Sequence, residues 1–340
     1  MKMSGRRTMA EENIGQQGSS PGQCQVMNQS QGRGQATIGI DVGGTSIGGV
    51  LLDASGQLLS SAQIPTVPGN CQVLDGIISL VDSLMETAPG LSLQAVGVGI
   101  PGRVDRRTGL VTDAVNVGLV HMELGAAIAG RLALPVAVEN DVNLAALGAI
   151  CSQNYQTGIA AYINFGTGLA AGIIEDGTIM HGATGAIGEI GHIPLDPHRI
   201  PCKCGQEGCL ETVASGSAVA RLWPVEEGYP LPSLLAAAKE GDSQAREALS
   251  VLVGGISMAI ELVCLTFDPQ FVVLGGGMTR VGQPLLDLVT ARLDEMAAHS
   301  HFISSLALPS RLRLVGADQP VGAIGAAILG QRVAEEAGRL

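Results

Sequence analysis

Residues 36–64, ATIGIDVGGTSIGGVLLDASGQLLSSAQI, carry the reading on which the fold turns. The apolar run Ile38 to Val42 stops at Gly43-Gly44-Thr45, Ile47 to Leu52 run back, and Ala54 to Gln57 turn again. β-branched runs bounded by glycine clusters predict strands joined by tight turns. Asp41 stands where the first strand leaves the core. The turn after it presents a row of backbone N–H groups, a hydroxyl and a carboxylate at one point, which can cradle phosphate while the carboxylate holds a hydrated Mg²⁺. An ordinary hairpin whose glycines serve only the turn is the alternative.

The pattern returns at residues 160–177, where strand Ala160 to Phe165 is followed by Gly166-Thr167-Gly168, strand Leu169 to Ile174 and the turn Glu175-Asp176-Gly177. Two such hairpins form an internal repeat and favour a shared phosphate ligand, although chance similarity remains open. Between them, a predicted helix over 71–87 leads to strand Gln94 to Ile100, a turn at Thr108-Gly109 and a helix over 123–132. Strand Val136 to Val138 then stops at Glu139-Asn140-Asp141, and Val142 to Ile150 are helical in character. The switch from strand to helix is where open α/β sheets place ligands, but Asp141 serves equally as a helix N-cap.

Further on, the predicted elements are helices over 215–222, 231–240 and 243–265, strand Phe271 to Leu274, helix 284–298, strand Leu312 to Val315 and a closing Ala/Gly-rich helix from Val321. Gly275-Gly276-Gly277 after the Phe271 strand let a flat ligand lie on bare backbone, or form a plain loop.

Residues 185–211, GAIGEIGHIPLDPHRIPCKCGQEGCLE, place Cys202, Cys204 and Cys209 ten residues or more after His192. Four soft or borderline ligands on a short leash suit a tetrahedral structural zinc site. Gly205 and Gly208 let the chain fold back so that the thiolates converge. Disulfides or small buried residues are the competing account of the cysteines. Glu189 and Glu211 bracket the cluster and stay available for other work.

Composition narrows the class. The chain has 340 residues, 46% hydrophobic and 15% charged, with 48 glycines, few aromatics and a formal net charge of −12. Two domains with sizeable cores are within reach. The acidic balance argues against a nucleic-acid surface, which needs clustered Lys and Arg. No apolar run is expected to approach a membrane span, and the basic start Met1 to Thr8 lacks a following apolar region, so no membrane association and a cytoplasmic location are expected. Seven cysteines fit a reducing compartment, with Cys24, Cys71, Cys151 and Cys264 read as thiols. Residues 1–36, rich in Gln, Gly and Ser, read as a disordered tail.

Taken in order, Asp41-Val42-Gly43-Gly44-Thr45, residues 100–105 (IPGRVD), residues 139–143 (ENDVN), Gly166-Thr167-Gly168, residues 188–192 (GEIGH) and residues 202–211 (CKCGQEGCLE) resemble the ROK family of sugar kinases and repressors, over about residues 37–335. The resemblance implies an α/β fold of two actin-like ATPase (ribonuclease H-like) domains with an interdomain cleft and a zinc loop. These are residues 37–150 closed by a C-terminal helix over 320–336, and residues 151–319 carrying the zinc loop 192–209. It implies ATP and Mg²⁺ at Asp41, Gly43, Gly44, Thr45, Gly166, Thr167 and Gly168, with adenosine along Gly275, Gly276 and Gly277. Asn116, Asn140, Glu189, His192 and Glu211 are expected to bind sugar, and Asp141 to take the proton of a sugar hydroxyl, typically the 6-OH. Structural Zn²⁺ on His192, Cys202, Cys204 and Cys209 would fix His192, Glu189 and Glu211 without doing chemistry. A dimer or tetramer is the expected assembly.

Two departures are visible. Ser46 replaces the common Lys after the first Gly-Gly-Thr, and Val115 with Gly118-Leu119-Val120 replaces the usual Pro and Trp around Asn116. The expected activity is ATP-dependent phosphorylation of a hexose, glucose first, with N-acetylmannosamine, N-acetylglucosamine, fructose and allose as rivals. A sugar-sensing repressor needs a basic helix-turn-helix that residues 1–36 are too short and polar to form. A degenerate sugar-binding pseudokinase is the third reading, opposed by an intact Asp141.

Overall fold

The computed structural model describes residues 34–340 except positions 154, 156 and 317. Cys24 and nearly all of the expected tail therefore lie outside the described residues. The chain runs β1 (Gln35–Val42), β2 (Ser46–Asp53), β3 (Leu58–Pro65), α1 (Asn70–Glu86), β4 (Ser92–Ile100), β5 (Arg103–Asp105), β6 (Leu110–Ala114), β7 (Leu119–Glu123), α2 (Leu124–Leu132), β8 (Val136–Asn140) and α3 (Asp141–Cys151). It continues with β9 (Ile159–Phe165), β10 (Leu169–Glu175), β11 (Thr178–Ile179), α4 (Gly216–Leu222), α5 (Pro230–Glu240), α6 (Ser243–Phe267), β12 (Val272–Gly275), α7 (Gln283–Ala297), α8 (His301–Ser305), β13 (Leu312–Leu314) and α9 (Val321–Glu336).

Two five-stranded mixed sheets result, ordered β3-β2-β1-β4-β8 and β11-β10-β9-β12-β13, with a small meander β5-β6-β7. The repeat seen in the sequence is real in three dimensions. β1 pairs antiparallel with β2 and parallel with β4; β9 pairs antiparallel with β10 and parallel with β12. The sequence reading missed β3, the meander and α8. It also drew the tail two residues too long, because Gln35 and Ala36 already belong to β1.

Helices α3 and α9 lie between the sheets: α9 packs on β1, β4 and α3, and α3 packs on β9 and β10. The approach is too close for side chains. A Cβ on Gly39 of β1 would collide with the Ala323 carbonyl, and one on Gly97 of β4 with that of Ala326. Likewise, a Cβ on Gly325 would strike the Leu144 carbonyl, and one on Gly148 that of Val321. Gly172 of β10 admits Ala146 of α3 in the same way. The Ala/Gly-rich composition of α9, whose Gly322, Ala323, Gly325, Ala326, Ala327 and Gly330 are all buried, thus follows from backbone-to-backbone packing rather than from helix propensity. At its far end α9 touches both acidic turns, with Gln331 Nε2 donating to the Ala54 carbonyl (3.2 Å) and Arg332 Nη2 to the Gly177 carbonyl (2.8 Å). Gly39→Ala is expected to lower stability by about 3 kcal/mol, because the obstacle is backbone that cannot turn aside. An unchanged urea midpoint would show that α9 can shift freely.

Helix α6 corrects one expectation. Over 25 residues, with a mean hydropathy of 2.2 in its most apolar window, it is long and apolar enough to cross a membrane, yet 56% of that window is buried inside the protein. Leu252, Ile256, Ile260 and Val263 sit in the core between α6 and the second sheet. Apolar residues on all sides are what a central core helix requires. Cys151 corrects another, since it is disulfide-bonded, whereas Cys71 and Cys264 are thiols as expected.

Candidate active site

Asp41 reaches the end of β1 opposite Gly99 of β4. Its carboxylate lies over Gly322 at the start of α9, where a Cβ would come 2.5 Å from Oδ2. The turn that follows is closed by the Gly43 N–H on the Ser46 carbonyl (2.9 Å) and by Thr66 Oγ1 on the Gly43 carbonyl (2.6 Å). Gly44 rests against Asn116, which is exposed in the turn Val115–Val117 between β6 and β7. Burial raises the Asp41 pKa to about 7, with the Asp141 charge adding to the rise.

The N-cap of α3 is Asn140, not Asp141. Asn140 Oδ1 accepts from the N–H groups of Val142 (3.0 Å) and Asn143 (3.3 Å). Its Nδ2 donates weakly to the Gly102 carbonyl (3.4 Å). Asn140 is therefore largely engaged in the backbone, with donor capacity to spare only on Nδ2. Asp141 is released from capping to the first helical position, where Oδ1 accepts from the Val142 N–H (2.9 Å). Burial lifts its pKa to about 6, against the opposing pull of that N–H, and the Glu189 carboxylate pushes the same way as burial. Asp141 thus interacts with both Asp41 and Glu189, and Asp41 and Asp141 are the two that are lifted. Adjacent acids lifted out of their ordinary range mark a place that gains from a cation and can hold a proton near neutrality. Their oxygen donors fit a hydrated Mg²⁺.

Beyond Glu189, His192 Nε2 lies 4.0 Å from Glu189 Oε2 and Nδ1 lies 3.8 Å from Glu211 Oε1. Glu211 Oε2 faces Gly168, at 3.1 Å from the place a Cβ would occupy, so the second Gly/Thr turn adjoins the same cluster. That turn is held by α4, whose Gly216 and Ser217 N–H groups donate to the Gly166 (2.7 Å) and Thr167 (3.2 Å) carbonyls.

The sulfurs of Cys202, Cys204 and Cys209 and a ring nitrogen of His192 all lie within 4.8 Å of one another. Cys204 and Cys209 Sγ are 3.6 Å apart. His192 Nδ1 is buried with no hydrogen-bond partner, an orphan that a metal would satisfy. Three thiols and an imidazole are the donor set of a closed structural zinc site. Gly205 (φ +94°) and Gly208 (φ +80°) make the reversals expected of them. Buried Asp196 locks the loop by accepting from the His198 and Ile200 N–H groups and from Thr212 Oγ1.

The glycine triplet divides. Gly275 is pressed against Tyr162, and Gly276 (φ +88°) against the Phe165 carbonyl, so packing on β9 requires both. Only Gly277 has open space at its Cα. Along the triplet the backbone passes from buried at Gly275 through half-buried at Gly276 to exposed at Gly277.

Sequence reading also missed two side chains. Glu139, 4% exposed, sits beneath Asn140 and contacts His181, which follows β11 in the second sheet. Tyr162 is buried below Gly276, and burial together with Asp41 and Asp141 raises its pKa. A carboxylate inside the 139–143 motif was a signal for the first; nothing in the sequence links position 139 to 181.

Twin Gly/Thr hairpins on paired mixed sheets, helices wedged between them and facing acids define an α/β protein of the actin-like ATPase type. The sequence profile of the ROK family matches residues 37–333; the chain belongs to the ROK family. It is 31% identical to the glucokinase of Halalkalibacterium halodurans over 287 residues, 76% of this chain and 86% of that one. It is 28% identical over 299 residues to an N-acetylmannosamine kinase of Escherichia coli, covering 87% of this chain and 98% of the other. Among solved structures, a ROK family glucokinase from Streptomyces griseus in complex with glucose and AMPPNP superposes with a TM-score of 0.70 at 28% identity, over 87% of this chain and 99% of that one.

Proposed function

We propose that the protein transfers the γ-phosphoryl group of ATP to the 6-hydroxyl of a hexose, glucose first. The observation that carries this reading is Asp141, released from capping and lifted to a pKa of about 6 between Asp41 and Glu189. The sugar hydroxyl gives its proton to Asp141 as its oxygen bonds to the γ-phosphorus, the bond from phosphorus to the bridging oxygen breaks, and ADP leaves. Such a transfer needs mainly positioning, charge neutralisation and a proton acceptor near its working pH.

Asp41, the turn Gly43-Gly44-Thr45 and the turn Gly166-Thr167-Gly168 would hold the phosphates, with adenosine beside Gly277. Mg²⁺, when bound at Asp41, neutralises charge on the phosphates. Asn116, Asn140 Nδ2, Glu189, His192 and Glu211 would bind sugar hydroxyls. Zinc on His192 and the three cysteines would hold His192, Glu189 and Glu211 in place. On this reading the two sheets belong to two domains, residues 37–150 completed by α9 and residues 151–319, with the ligands between them. The protein works in the cytoplasm as a dimer or tetramer.

The likeness to N-acetylmannosamine kinase supports a second substrate class, the N-acetylhexosamines. A panel of glucose, fructose, allose, N-acetylmannosamine and N-acetylglucosamine with Mg-ATP, read by ADP release, tests the proposal. We expect glucose to have the highest kcat/KM. Turnover of none of them, with sugar binding retained, would leave a binding protein in place of a kinase.

A further inference from the structure

We propose that Glu139 and His181 form a positioning pair that ties the base of the active site to the sugar-binding segment of the opposite sheet. The inference rests on the kinase reading above and adds to it a pair that touches neither substrate.

Glu139 is the last core-facing residue of β8 and is 4% exposed. Both of its oxygens are engaged. Oε1 accepts from the Asn140 N–H (2.8 Å) and from Asn143 Nδ2 (3.0 Å), while Oε2 meets His181 Nε2 at 2.7 Å. Burial opposes ionisation, but the hydrogen bonds from His181, Asn143 and Asn140 outweigh it and hold the carboxyl below its ordinary range. The carboxylate is thus a buried, satisfied anion, and removing one partner from such a group is far more damaging than the net worth of the contact.

The residues it grips are the first turn of α3. Asn140 caps that helix, Asn143 is its third residue, and Asp141 stands between them. His181 arrives from the other sheet, 42 positions along the chain. It opens the exposed segment 182–186, which leads into Gly188 and Glu189. Gly188 is fixed on β10, where its carbonyl accepts from the Ala171 N–H (2.7 Å). One imidazole therefore links the turn bearing Asp141 to the loop, held on β10, that delivers Glu189 and His192.

Phosphoryl transfer tolerates little error in the placement of its base, and a displacement of about 1 Å costs about a hundredfold in rate. Loss of the pair should therefore act on kcat and on sugar KM, since it frees Asp141 relative to Glu189. ATP KM should change little, because the Glu139–His181 contact makes no bond to either phosphate turn.

The test uses the full-length protein and the best sugar of the panel. His181→Ala is expected to lower kcat at least tenfold, with ATP KM within about twofold of wild type. Because it leaves the buried Glu139 carboxylate short of a partner, the melting temperature should fall as well, so kcat is read well below that temperature. His181→Gln, whose amide can donate to Glu139, should recover most of kcat. Glu139→Gln combined with His181→Ala should be no worse than Glu139→Gln alone, as expected of partners in one contact. A purely structural role predicts lost stability at wild-type kcat, and that result overturns the proposal. So does His181→Gln as impaired as His181→Ala, or strictly additive losses. Absence of turnover in the wild type would refute the kinase reading instead, so the two failures are distinct.

Discussion

Asp141→Asn is expected to abolish turnover, lowering kcat by about a thousandfold or more, while sugar and ATP affinity change little. Asparagine keeps the size of the side chain and its acceptor for the Val142 N–H, so α3 should start as before. It cannot take a proton. The same group should shape the pH profile. With a pKa of about 6, the wild-type base is charged above that value, so kcat should rise with pH through about 6 and fall away on the acid side. The residual rate of Asp141→Asn should show no such limb. Steady-state kinetics between pH 5 and 8 with calorimetric sugar binding decides the matter, and a full rate in the variant would mean that another group accepts the proton.

Cys204→Ser should lower zinc content and weaken sugar binding by about tenfold or more, with ATP binding intact. Its sulfur is one of four donors converging within 4.8 Å, and a hydroxyl is a poor substitute for a thiolate on zinc. The loss reaches the sugar through His192. Without metal the buried Nδ1 has no hydrogen-bond partner, and the spacing to Glu189 and Glu211 becomes free to change. Metal analysis and calorimetry on the same samples separate the possibilities. A zinc-free variant with wild-type sugar affinity would show that the loop folds and holds His192 without metal.

What the sequence yielded was set by how local each feature is. The hairpins at 41–45 and 166–168 are written by contiguous glycines and β-branched residues and form as read, and the spacing of the Cys/His loop anticipated that its four side chains converge. The meander β5-β6-β7 was missed because strands of three to five residues barely alternate. The exchange of capping roles between Asp141 and Asn140 depends on one backbone step, which composition does not encode. Two of three glycines at 275–277 proved to be packing glycines, since their neighbours Tyr162 and Phe165 are more than a hundred positions away. His181 against Glu139 is the same problem in stronger form, a contact fixed only once the sheets face each other.

The position of α9 bears on how the chain is made. Gly39 and Gly97 form a shallow floor that Ala323, Ala326 and Ala327 fill, so this face of the first sheet, whose last strand ends at Asn140, stays uncovered during synthesis until α9 (Val321–Glu336) has been made. Contacts between such distant segments form late and leave partly folded chains prone to association. A nascent chain stalled before residue 321 should therefore resist proteases far less than one released after residue 336, even though every strand of both sheets has already been made.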